Sequence, residues 1–220
     1  MNVHSLWNRR KLITGLSLCA ATSCAQEGRR GRGQPPLAKD DGEKRILAVL
    51  EEMAVQGRTH LSVPANDGRW LRVLTETAGA KHVVEIGTST GYSGLWFALA
   101  LRRTGGKLTT LEIDSRRAET ARGHFHKAGV ADRITVIVGD AHQTLGQIKG
   151  PVDLAFLDAD KDGYTDYLDK VLPMVRAGGL ILAHNIGMNP RYVEAVSTNP
   201  ALESVFYMEG GELGVTLKKL

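Results

Sequence analysis

The chain has 220 residues, 42% of them apolar and 24% charged, with 25 Gly and 7 Pro. That suffices for one packed domain, is too short for two, and excludes a disordered or collagen-like chain. The formal charge of +4 invites a polyanionic partner, but residues 1–34 hold six basic groups against the single acid Glu27, and the other 186 residues carry 22 basic and 23 acidic groups. A body with a balance of −1 offers no electrostatic footprint for nucleic acid.

Residues 1–34 read as a signal peptide or basic tail, and 35–220 as one domain. An uncharged stretch from Leu12 to Ala25 follows Asn8-Arg9-Arg10-Lys11 and precedes an Arg- and Gly-rich piece ending in Gln34-Pro35-Pro36. This is the three-part layout of an export signal, and its apolar stretch is shorter than the roughly 20 residues a membrane-spanning helix needs. The paired arginines before Leu12-Ile13 resemble the twin-arginine signal. Ser23-Cys24-Ala25 fits cleavage after Ala25, while Ala21-Thr22-Ser23-Cys24 resembles a lipoprotein box with Cys24 as a lipid anchor; both stand open. The expected compartment is the periplasm or cell envelope, and the alternative is the cytoplasm. Cys19 and Cys24 are the two cysteines, so the body has no disulfide, thiolate metal site or cysteine nucleophile.

Within the body, Ile46, Leu47, Leu50, Met53 and Ala54 stand at helical spacing, and Trp70, Leu71 and Leu74 mark a second helix. Trp70 and Trp96 both read as core. From residue 82 the pattern becomes apolar strands at 82–86, 108–113, 134–138, 152–157 and 179–183, with helices between them over 91–103, 115–128, 140–147 and 163–176. Strands apolar on both faces, joined by short loops and helices, predict a doubly wound, mostly parallel α/β sheet. Beyond a helix at 190–196, runs at 204–208 and 214–217 lie close enough to form a terminal antiparallel hairpin.

Directly after the first of these strands comes Gly87-Thr88-Ser89-Thr90-Gly91-Tyr92-Ser93-Gly94. In such a sheet a glycine-rich strand-to-helix turn is where ligands sit, because the backbone can approach closely and the helix start presents free N–H groups. Glu112, at the end of the following strand, is placed to accept hydrogen bonds from two ribose hydroxyls. A dinucleotide fingerprint wants glycine where Ser89 stands, and Glu85 would repel a pyrophosphate. An amino-acid-bearing nucleoside suits this loop better than a nicotinamide dinucleotide.

With Glu85-Ile86-Gly87, Thr109-Thr110-Leu111-Glu112-Ile113-Asp114, Val138-Gly139-Asp140-Ala141 and Phe156-Leu157-Asp158-Ala159-Asp160-Lys161-Asp162-Gly163-Tyr164, the chain resembles the S-adenosylmethionine-dependent O-methyltransferases of the catechol and caffeoyl-CoA type. The resemblance covers about residues 43–220. It implies the class I methyltransferase sheet of seven strands, a small hydroxylated, catechol-like acceptor, and a homodimer. Position by position it implies Val63, Glu85, Gly87, Ser93, Glu112, Ala141 and Asp160 as cofactor contacts, with Val63 restricted to its backbone. Lys161 would be the base that takes the acceptor's proton, and Asp158 a metal ligand beside it.

One departure stands out. The Asp-Asn metal pair of that group reads His184-Asn185 here, so the implied divalent cation, Mg²⁺ or Mn²⁺, would be held by Asp158, His184 and Asn185. Imidazole removes a negative charge and favours Mn²⁺, Fe²⁺ or Zn²⁺ over Mg²⁺. The competing readings are a cofactor-binding module whose metal site has decayed and a nicotinamide-dependent oxidoreductase. His124 and His126 point to different helix faces, and His60 and His142 read as lone surface histidines.

Overall fold

Alternation along the parallel strands builds two apolar layers, one on each face of a single sheet. The computed structural model describes residues 35–56 and 62–220; residues 1–34, which hold both cysteines, and His60 lie outside the described residues. Within the unit Leu37–Leu220, helices α1 (Asp41–Val55) and α2 (Ala65–Thr77) precede β1 (His82–Ile86), α3 (Tyr92–Thr104), β2 (Lys107–Glu112), α4 (Ser115–Ala128) and β3 (Ile134–Val138). There follow α5 (Ala141–Thr144), β4 (Val152–Leu157), α6 (Tyr164–Val171), β5 (Val175–Ala183), α7 (Pro190–Thr198), β6 (Leu202–Tyr207) and β7 (Leu213–Lys218).

The sheet order is β3-β2-β1-β4-β5-β7-β6, with the first five strands parallel and β7 antiparallel to both neighbours. Val83, Leu154, Phe156 and Leu182 project to one side, where Ile46, Leu71, Leu95 and Phe125 of the helices cover them. Val84, Ile86, Ala155, Leu157, Ile181 and Ala183 project to the other, under Tyr164, Tyr167 and Tyr192. Period-two projection puts alternate residues on opposite faces, so near-continuous apolar strands are what a sheet buried on both faces requires. The chain leaves β1 toward β2 and β3 on one side and returns to β4 and β5 on the other. That reversal opens a crevice beyond the carboxyl ends of β1 and β4.

Three expectations change. The helix predicted over 163–176 ends at Val171, because Pro173 has no N–H to continue the ladder, and β5 already begins at Val175. Between Val152–Val175 and Leu154–Leu180 the pairing shifts register, and Gly178 takes up the irregularity at φ +74°. Trp70 is not core: it is 42% exposed and packs against Tyr207, ring centroids 5.9 Å apart, whereas its neighbour Leu71 is buried. Adjacent residues point about 100° apart on a helix, and on α2, buried along one stripe, Leu71 holds the inner place.

Candidate active site

The loop after β1 is shaped by what lies against it. Gly87 has φ +101°, and a Cβ there would stand 2.2 Å from the main-chain oxygen of Asp158 at the end of β4. Only glycine lets the two strand ends approach this closely. The Gly87 and Thr88 amides donate to Leu111 O at 3.0 and 3.1 Å, tying the loop to β2. Ser89 follows in the left-handed region, at φ +48°, and its N–H donates to Glu112 Oε2 at 2.7 Å. The Asp114 amide donates to Glu112 Oε1 at 3.0 Å. Each Glu112 oxygen is thus fixed by one backbone donor and retains a lone pair for a ligand hydroxyl.

Across the crevice, Lys161 Nζ donates to Asp158 Oδ1 at 3.1 Å and to Tyr164 Oη at 2.7 Å. The Tyr164 hydroxyl lies 3.0 Å from Leu157 O and 2.9 Å from His184 O, which locks the lysine's support to the ends of β4 and β5. Burial, reinforced by Asp158, keeps that phenol protonated far above its ordinary range. Asp160 accepts from Tyr167 Oη at 2.5 Å. His142, one residue past Ala141, stacks on Tyr167 with centroids 4.4 Å apart, and its Nδ1 lies 2.5 Å from Asp166 Oδ2.

A cavity of about 900 Å³ joins these groups; Gly87, Glu112, Ala141, Asp158, Asp160, Lys161, His184 and Asn185 all line it. Three of the expected contacts do not. Val63 is buried, and its neighbours Ser62 and Pro64 face the cavity instead. Glu85 shares the Val83 face of β1, beneath the floor: Ser93 Oγ donates to its Oε1 at 2.5 Å and Thr110 Oγ1 to its Oε2 at 2.6 Å. Burial pushes this carboxyl up to about 7, against the pull of the two hydroxyls. Glu85 and Ser93 therefore clamp the start of α3 to β1 and do not line the cavity. His142, expected on the open surface, lines the cavity.

His184 is buried at the end of β5, its Nε2 2.9 Å from Asp67 Oδ2 and its Nδ1 3.4 Å from Asp158 Oδ1. Burial alone would lower its pKa, but the Asp158 and Asp67 carboxylates outweigh that and hold it at about 9. Asp67 went unread in the sequence. Its signal was a carboxylate at i of the stripe Asp67, Leu71, Thr75, the buried face of α2. Among the described residues no three His, Cys, Asp or Glu side chains gather as a metal cluster. The donors of the expected set are compatible with one nonetheless. Two adjacent ligands, each about 2.1 Å from an ion, stand roughly 3 Å apart, close to the His184–Asp158 separation, and Asn185 spends its Nδ2 on Gly211 O at 3.3 Å, which leaves Oδ1 free.

Sheet order and the position of the cavity define the class: an α/β enzyme with the class I methyltransferase fold. The chain belongs to the O-methyltransferase family, which matches residues 38–206. It is 36% identical over 162 residues to a catechol O-methyltransferase of Niastella koreensis, spanning 72% of this chain and 73% of that protein. With a catechol O-methyltransferase of Mycobacterium tuberculosis it shares 40% identity over 144 residues, 64% of each chain. Among solved structures, an O-methyltransferase from Bacillus cereus in complex with SAH superposes with a TM-score of 0.73 at 25% identity, covering 90% of this chain and 97% of that one.

Proposed function

We propose that this chain transfers a methyl group from S-adenosylmethionine to a hydroxyl of a small, catechol-like acceptor, assisted by a divalent cation. The observation that carries the reading is that Glu112 and the Asp158–Lys161 pair open into one cavity of about 900 Å³. Ligand sites run from about 300 to 1,000 Å³, so this one has room for a nucleoside-bearing donor and a small acceptor together. The catechol O-methyltransferases among its relatives support the acceptor class.

Glu112, with both oxygens already oriented by backbone donors, receives the ribose hydroxyls. Gly87 keeps the loop low enough for the donor's methionyl end to pass. The donor supplies a methyl group on a positively charged sulfur, and an oxyanion attacks it far better than a phenol does. Lys161, as the neutral amine, accepts the acceptor's hydroxyl proton at Nζ, and Tyr164 and Asp158 fix where that nitrogen stands. The cation, when bound by Asp158, His184 and Asn185, supplies Lewis-acid activation of the acceptor oxygen. Incubation with S-adenosylmethionine and a panel of catechols, with Mg²⁺ or Mn²⁺, is expected to give the methyl ether and S-adenosylhomocysteine. Failure to bind S-adenosylmethionine, or binding without turnover on any catechol or metal, overturns the reading.

Residues 1–34 are proposed as an export signal, on the strength of Arg9-Arg10 and the uncharged stretch that follows.

A further inference from the structure

We propose that Asp67 is a positioning residue of this site: it holds His184 by Nε2, so that the ring presents Nδ1 toward Asp158 as a ligand for the divalent cation. The inference rests on the metal-assisted reading above and assigns a role to a residue 117 positions away in sequence from the one it orients.

Three observations carry it. Asp67 is fully buried on α2, and a carboxylate is not left in an apolar helix stripe without a partner that uses it. Its Oδ2 takes two contacts at once, His184 Nε2 at 2.9 Å and the Gly211 amide at 2.7 Å, while Oδ1 has no hydrogen-bond partner. The carboxylate is therefore aimed by α2 and by the β6–β7 loop at one nitrogen of one ring. Gly211 also closes the space beside that nitrogen: a Cβ there would stand 1.8 Å from Nε2. The ring cannot slide toward the loop, and its other nitrogen faces the cavity and Asp158.

A ligating imidazole needs its second nitrogen to donate elsewhere; that donation selects the tautomer, fixes the ring plane and raises the basicity of the ligating atom. Asp67 does this for Nε2, and at Nδ1 a bound cation would take the place of the proton that faces Asp158. The substitution of His for a carboxylate at position 184 is thereby matched on a different helix. A second negative charge returns to the site one residue removed from the ion.

The test is Mn²⁺ alone, titrated into the full-length protein and followed by the electron paramagnetic resonance of free Mn²⁺. Wild type is expected to bind one ion, and Asp67→Asn to weaken it by about 10- to 100-fold, the usual loss on removing such a support. In a His184→Ala background, Asp67→Asn should cost nothing further, because Asp67 acts through the ring. Should Asp67→Asn not fold, Gly211→Ala perturbs the same nitrogen from the loop side and should weaken Mn²⁺ comparably. Wild-type affinity in a folded Asp67→Asn protein, an equal loss with and without His184, or no Mn²⁺ binding by wild type overturns the proposal. Calorimetry with S-adenosylmethionine on the same samples keeps the two readings apart: intact donor binding with absent Mn²⁺ binding sinks this inference alone, and absent donor binding sinks the methyltransferase reading.

Discussion

Lys161 and Glu85 show how environment divides the work among charged residues at the sheet's edge. Lys161 has its one side-chain nitrogen held between a carboxylate and a phenol, and it lines the cavity. Lys161→Ala is expected to lower kcat by about 10²- to 10⁴-fold, the usual share of a general base, while the affinity for S-adenosylmethionine stays within about twofold. Stopped-assay kinetics with calorimetry on the same variant check both halves. Glu85 has no access to the cavity, and its consequence is for stability. Its folded pKa of about 7 lies above the ordinary glutamate value of 4.5, so the folded state keeps a proton that the unfolded chain has lost. Stability from this group is fully present below about pH 4.5 and is lost as pH rises to about 7, a change of roughly 3 kcal/mol. Urea unfolding from pH 5 to 8 should therefore show Glu85→Gln gaining on wild type as pH rises; a constant difference contradicts the assignment.

At the scale of elements, the crevice is made by the loop after β1 and the turn after β4, and Gly87 is where they touch. Gly87→Ala forces a methyl onto the Asp158 carbonyl at a positive φ, and is expected to cost at least about 1–3 kcal/mol and to abolish donor binding. Thermal melting with calorimetry reads both effects. Glu112→Ala leaves that loop's glycine intact but removes the paired acceptors, so donor affinity should fall at least about 10-fold with little loss of fold. These elements were legible in the sequence because strand periodicity locates the strand ends, and ligand-binding residues in this architecture follow strand ends. Glu112 was read that way, Asp158 and Lys161 came from the resemblance, and all three line the cavity. That Glu85 and Ser93 lie beneath the cavity floor could not be read from the resemblance, because it names residues, whereas the side of β1 on which Glu85 projects depends on the register with Thr110 and Phe156. Asp67 carried a signal in its helix stripe but its partner did not show: nothing local ties α2 to the end of β5, and only the folded chain brings Asp67 to His184.

For the molecule as a whole, the basic charge read at the outset divides at residue 34. Residues 37–220 carry the site, and residues 1–34 carry the excess of arginine and lysine. No helix among the described residues is long and apolar enough to cross a membrane. If residues 1–34 are an export signal, N-terminal sequencing of the mature protein from fractionated cells should start after Ala25 or at a lipidated Cys24; an intact Met1 in the cytoplasm contradicts that proposal. The homodimer implied by the resemblance is tested by sedimentation of the same material, where a single monomeric species would exclude it. The central claim is that the crevice beyond β1 and β4 accepts a methyl donor rather than a dinucleotide, and calorimetry of the purified chain against S-adenosylmethionine and NAD tests it most directly. The account predicts saturable one-site binding of S-adenosylmethionine, weakened at least about 10-fold in Glu112→Ala, and no binding of NAD. Binding of NAD with none of S-adenosylmethionine would contradict it.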